Sequence, residues 1–349
     1  MKFRSHHALL ALACALTLTA AAQPTPKATL LALSKQDHTL AIVDPATLHV
    51  LATVPVGDDP HEVIASADGK TAYVSNYGFG AFHTLAVIDL VGQMRLPSID
   101  LGALRGPHGL TFEQGKVWFT AEAAKAIGSY DPATQKIDWI MGIGQDRTHM
   151  IYVFPGAQRI LTTNVNSATV TILNHTEGRP GGPPPGMQAG GPPPGPPPTP
   201  PGGNWELTNI PVGRGSEGFD VSPNGKEAWV ANAQDGTVSV IDIAAKKVVA
   251  TLQTSTRGAN RLKFTPDGKY VFMTPGSALV ILDAATRKEV KRLTNVHGSG
   301  GIQMQPDGAR AYVACGRDNY VAVIDLKTLE LVGKIDIASP DGLAWAIRH

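Results

Sequence analysis

The sequence predicts an all-β protein, a seven-bladed β-propeller, and three observations predict it. One unit recurs seven times, starting at Pro60, Pro107, Thr148, Ser216, Ala259, Ser299 and Pro340. The spacings are 47, 41, 68, 43, 40 and 41 residues, and the 68 falls to 42 once a Pro/Gly-rich stretch at 178–203 is set aside. Each unit carries four strand-like runs, which at a period near 40 is the mark of a propeller. The chain also ends on a lone first strand, Leu343–Ile347, and begins on three strands that lack one. Pairing the two ends closes the ring and leaves no sheet edge free to aggregate.

Residues 1–22 read as a secretory signal: Lys2 and Arg4, an apolar stretch from Ala8 to Leu18, then Ala20-Ala21-Ala22 before Gln23. That stretch is too short to span a bilayer, so no transmembrane segment is expected. A second reading makes Cys14 a lipoprotein cysteine, with Ala8–Ala13 as its apolar core. Export to the periplasm or exterior follows, and residues 23–349 form the propeller. Ala28–Leu33, Leu40–Val43 and Val50–Val54 are expected as the second, third and fourth strands of blade one.

Later strands such as Ala72–Ser75, Leu85–Ile88, Ala228–Ala231, Val238–Ile241 and Val321–Ile324 are apolar, as strands sandwiched between blades should be. Gly closes the first hairpin of several units, as in Ser66-Ala67-Asp68-Gly69 and Thr265-Pro266-Asp267-Gly268, because Gly accepts positive φ. Asp44, Asp131, Asp242, Asp283 and Asp325 end third strands. Their recurrence at one turn assigns them a structural role. The insertion at 178–203 holds 12 Pro and, apart from Met187, almost no apolar side chain. It is expected to be a disordered, dispensable spacer between Thr169–Leu173 and Trp205–Ile210 of blade four, on the face opposite the blade crossings.

Composition excludes several classes. Without the signal, Cys315 stands alone, so no intrachain disulfide forms, and its strand context predicts a small buried residue. Residues 23–349 carry 28 basic against 29 acidic residues with no Lys/Arg run, so no nucleic acid is expected as partner. No haem motif, phosphate-binding glycine loop, nucleophile elbow or zinc-protease helix is present. A monomer is expected.

Tyr73-Val74-Ser75-Asn76, the Pro-Asp-Gly turns and Val238-Ser239-Val240-Ile241-Asp242 resemble the YVTN-repeat propellers, over essentially all of residues 23–349. Val117–Glu122 and Ile127–Asp131 look more like the repeat of virginiamycin B lyase. No Gly-His/Trp-Asp pairs mark the blades, which speaks against a WD40 repeat. The resemblance implies architecture. It leaves activity open, since such propellers include binding proteins, surface-layer proteins and relatives near lactonases and electron-transfer propellers.

Aligning the repeat starts gives one position per blade, holding in ring order Asp341, His61, His108, His149, Glu217, Asn260 and Gly300. These residues begin the inner strands and should converge on one mouth of the central channel. Asp341, His61, His108, His149 and Glu217 offer nitrogen and carboxylate ligands to a divalent metal ion. Glu62, Arg147, Asn260 and Arg261 are expected ligand contacts, an acid and two anion-binding cations among them. Gly300 leaves a gap, with His297 close by in sequence. Asn76, Glu122, Asn164 and Asn232 are read as strand-end caps. Two functions follow. One is a binding or scaffold module taking a small-molecule or protein ligand at the channel mouth. The other is a metal-assisted lactonase or lyase acting on a cyclic ester.

Overall fold

The structure, a computed structural model, describes residues 26–176 and 204–349. The signal at 1–22 and the insertion at 178–203 lie outside the described residues. Seven four-stranded antiparallel sheets form the blades. Blade one takes its inner strand from one end of the chain, Pro340–Ile347, and its other three from the opposite end: Ala28–Ser34, Thr39–Val43 and Val50–Pro55. Their register runs from Ala28 opposite Ile347 to Ala32 opposite Leu343. The expected closure is therefore the observed one.

Inner strands of blades two to five start where the repeat starts, at Pro60, Pro107, Thr148 and Ser216. In blades six and seven they start three residues late, at Leu262 and Ile302. In blade seven the Gly301 N–H bonds Asp341 O of blade one at 3.0 Å. The Ser299 and Gly300 N–H groups both bond Ala314 O of blade seven itself at 3.1 Å, so the chain there is tied to both blades without a regular ladder. The expected strand pair of blade four is found as Thr169–Thr176 and Asn204–Pro211.

The core is divided among the blade interfaces. Each of seven buried apolar clusters draws on two adjacent blades, such as Leu33, Ile42, Val63 and Val74 between blades one and two. Trp229, Tyr312, Phe119 and Phe272 are the largest fully buried side chains. Turn chemistry matches the sequence: Gly69 and Gly268 have φ of 66° and 72°, and Asp44 Oδ1 and Asp131 Oδ1 accept N–H groups two residues on. Cys315 is buried, and burial pushes its thiol up to about 11. Among the described residues there is no α-helix, and no helix is long and apolar enough to cross a membrane.

Candidate metal centre

The channel mouth is built by an irregularity shared by five blades; in blade one it falls on Asp341, between Pro340 opposite Ser34 and Leu343 opposite Ala32. The inner-strand register shifts between Pro60 and Val63, Pro107 and Leu110, Thr148 and Ile151, and Ser216 and Phe219. A bulge re-aims a side chain out of the pleat. Here it falls on His61, His108, His149 and Glu217. In blades two, three and four a hydroxyl on the second strand locks the bulge to the next blade, whereas blade five has Ala231 at that position. Ser75 Oγ accepts the Glu62 N–H at 3.0 Å and donates to His108 O at 2.9 Å. Thr120 Oγ1 accepts the Gly109 N–H at 2.9 Å and donates to His149 O at 2.7 Å. Thr163 repeats the pattern toward Glu217 O at 2.8 Å. Gly109 has no room for a side chain, since a Cβ would lie 2.6 Å from His149 O.

The three His rings line up. His61 and His108 have centroids 4.2 Å apart, and His108 and His149 3.6 Å apart. His108 is fully buried, and neither ring nitrogen has a hydrogen-bond partner. His149 Nδ1 bonds Glu122 Oε1, whose partner oxygen Oε2 accepts the Tyr77 hydroxyl at 2.5 Å. His149 Nε2 lies 3.4 Å from Glu217 Oε1 without hydrogen-bonding geometry. Burial depresses the imidazoles: His61 falls to about 4 and His149 to about 3, and His108 drops well below its usual range. All three are therefore neutral near pH 7. Burial pushes Glu122 up, and desolvation with the adjacent Glu122 raises the half-buried Tyr77 phenol.

His108, Glu122 and His149 form the one three-residue group among the described residues able to hold a metal ion, with ligand atoms within 4.8 Å of one another. Of the five expected ligands, only His108 and His149 belong to it. His61 Nδ1 instead accepts from Lys35 Nζ at 2.5 Å, which puts its proton on Nε2 and leaves no lone pair for an ion. Asp341 pairs with Lys35 at 3.4 Å, and Glu217 pairs with Arg147 at 3.3 Å.

The expected anion contacts face carboxylates: Arg147 meets Glu217 and Glu122, and the buried Arg261 pairs with Glu62. Burial works against the Arg261 charge, but Glu62, Asp341 and Glu217 outweigh it and raise its pKa. Asn260 Nδ2 donates to Ser299 O at 3.0 Å. His297 pairs with Asp318 at 2.8 Å and stands apart from the His run. Beside Gly300 the expected gap is tight, since a Cβ would lie 3.0 Å from Asp341 Oδ1. A cavity of about 320 Å³, lined by Lys35, Asp341 and Arg317, opens next to it.

Glu122 corrects the reading of it as a cap. Asn76, Asn164 and Asn232 do cap: Asn164 and Asn232 bond Thr169 and Thr237 of their own blades, and Asn76 accepts from Thr84 and donates to Val56 O of the incoming linker. They pair with Pro60, Thr148 and Ser216, but in blade three the residue opposite Pro107 is Ala121. Glu122 is thus one residue further on, level with Tyr77 of blade two and Lys35 of blade one. These three form a second ring above the first, and all three touch it. The available signal was the register of Val117–Ala121, which places Glu122 outside the strand.

A family described as the cytochrome D1 haem domain matches residues 201–305, which is 105 of the 349 residues. No curated protein matches the chain. Among solved structures, a functionally unknown protein of Desulfotomaculum acetoxidans is 13% identical with a TM-score of 0.72, covering 92% of this chain and 99% of its own. A candidate 6-phosphogluconolactonase of Bacteroides fragilis is 17% identical with a TM-score of 0.68, covering 91% and 97%. The dihydro-heme d1 dehydrogenase NirN in complex with DHE is 15% identical with a TM-score of 0.61, covering 93% and 76%. At these identities the likeness establishes the fold, a β-propeller, and nothing finer.

Proposed function

We propose that this protein is a metal-binding propeller, and that its channel mouth holds a divalent transition-metal ion on His108 and His149 with Glu122 as the carboxylate. The observation that carries this is His108. A fully buried imidazole with two unpartnered nitrogens costs about 1–3 kcal/mol for each unmet group, which a bound ion would relieve. Glu122 holds His149 Nδ1, which leaves Nε2 as the lone pair. Charge points the same way: Lys35, Arg147 and Arg261 face five carboxylates (Asp59, Glu62, Glu122, Glu217 and Asp341), an excess of two negative charges. Imidazole donors favour zinc, copper or nickel over calcium or magnesium.

The test is metal content of the purified protein, then calorimetric titration of metal-free wild type and His108→Ala with zinc, copper, nickel, calcium and magnesium. Transition-metal binding weakened at least about tenfold by the substitution is expected. No binding to wild type, or equal binding to both, sinks the reading and leaves a module for an organic or protein ligand.

Residues 1–22 and the YVTN-like repeat support an exported member of that propeller class, with blade three resembling the virginiamycin B lyase repeat. A second reading is a metal-assisted lactonase. Its support is the candidate 6-phosphogluconolactonase among the structural neighbours. Metal-dependent hydrolysis of a lactone panel would establish it. The haem-domain match gives less, because residues 201–305 include Glu217, Asn260 and Arg261 but none of His61, His108 and His149.

A further inference from the structure

On the face opposite the mouth, an aromatic groove runs between the outer strands of blades three and four. Trp139 lies on the outer strand Lys136–Gly142 and Trp205 on Asn204–Pro211. Their rings are 5.2 Å apart, Trp118 lies 5.5 Å from Trp139, and His175 lies 5.2 Å from Trp205. The groove encloses about 370 Å³ and has polar groups, Lys116 and Asp138 among them, along its wall. Trp205 Nε1 is buried and has no acceptor among the described residues. Trp118 Nε1, by contrast, bonds Glu113 O at 3.1 Å.

One stretch of this chain suits such a groove. His175 pairs directly with Trp205 across the sheet, and one rung later, at Thr176 and Asn204, the described residues stop on both sides. Both described ends that flank the 27 residues between them therefore stand beside the groove's rim. They carry three proline triplets, Pro183–Pro185, Pro192–Pro194 and Pro196–Pro198. Proline has a carbonyl acceptor and no N–H, and an indole is a donor only. Aromatic-lined grooves are a recurring way to bind proline-rich segments.

We infer that the proline-rich insertion of blade four docks in cis on the Trp139–Trp205 groove. The groove is thereby an intramolecular proline-recognition site. A segment tethered at both ends acts at an effective concentration on the order of 1 mM, so weak intrinsic affinity suffices.

The test uses the full chain, a variant with 178–203 replaced by a short Gly/Ser turn, and a variant of unchanged length whose three triplets are Gly/Ser. A synthetic peptide spanning residues 191–202 is titrated onto each, read by tryptophan emission. Saturable binding to both variants is expected, at least about tenfold tighter than to the full chain, whose own segment competes. Trp139→Phe in the unchanged-length variant keeps a ring in place and should still bind, whereas Trp139→Ser should not. Equal binding to all three proteins overturns the inference, because the groove would then be open in the full chain. Binding to none also overturns it. So does a full chain that is dimeric while both variants are monomeric, which would give the groove to a second copy.

Discussion

At the residue scale, the site sets stability against function. An imidazole that is buried and unpartnered costs free energy, while an apolar ring of similar shape does not. His108→Phe is therefore expected to leave the metal-free protein as stable as wild type or raise it by about 1–2 kcal/mol, and to abolish metal binding. Urea unfolding in the presence of a chelator checks the first part, and calorimetry the second. Glu122→Gln is expected to keep the fold and lower metal affinity about tenfold or more, since the amide loses the charge and disturbs the His149 tautomer. A Gln variant with wild-type affinity would remove Glu122 from the site. The His residues were legible in the sequence because they recur at one repeat position. Glu122 was legible only by aligning Trp118-Phe119-Thr120-Ala121 with Tyr73-Val74-Ser75-Asn76, which puts Ala121 at the cap position and Glu122 one residue past it.

At the scale of the element, the bulge and its hydroxyl position the site. Thr120 serves two blades at once, through Gly109 N–H and His149 O. Thr120→Val keeps the shape and removes both bonds. It should cost about 1–3 kcal/mol in urea unfolding and weaken metal binding together, whereas Thr120→Ser should restore both. Loss of stability without loss of affinity would make the hydroxyl a purely structural stitch. Strand limits were largely legible, because turn residues and apolar runs bound them, and the inner strands of blades two to five start at the predicted residues. In blade seven the regular ladder starts late because the Ser299 and Gly300 N–H groups share one acceptor, Ala314 O, and the Gly301 N–H turns to Asp341 O of the adjacent blade.

At the scale of the whole molecule, closure and burial make the predictions. Deleting 340–349 removes the inner strand of blade one and exposes the edge of Ala28–Ser34. Aggregation or failure to fold is expected, read by size-exclusion chromatography and thermal melting. An unchanged melt would deny the closure. Acid should also act on the folded ring. Unfolded imidazoles titrate near 6.5, but in the fold His61 lies at about 4, His149 at about 3 and His108 well below 6.5. Below 6.5 the unfolded chain binds more protons than the folded one. This contribution to stability is thus complete above 6.5 and is lost as pH falls toward 3. Urea midpoints at about pH 7.5 and about pH 5 should differ by several kcal/mol in stability. The same burial moves acid release of a metal below the range expected for a free imidazole.

The sequence by itself determined the ring: blade number, closure, turn chemistry and the convergence of five repeat positions on one mouth. Those are periodic properties, and a repeat displays them along the chain. The tertiary structure decided which of the converging groups have lone pairs to offer. His61 is occupied by Lys35, Glu217 by Arg147 and Glu62 by Arg261, while His108 is left unpartnered beside Glu122 and His149. Each of those pairings joins residues 26 to 199 positions apart. Competition for a proton or a charge is settled at a few ångströms across blades, a distance that no spacing along the chain encodes.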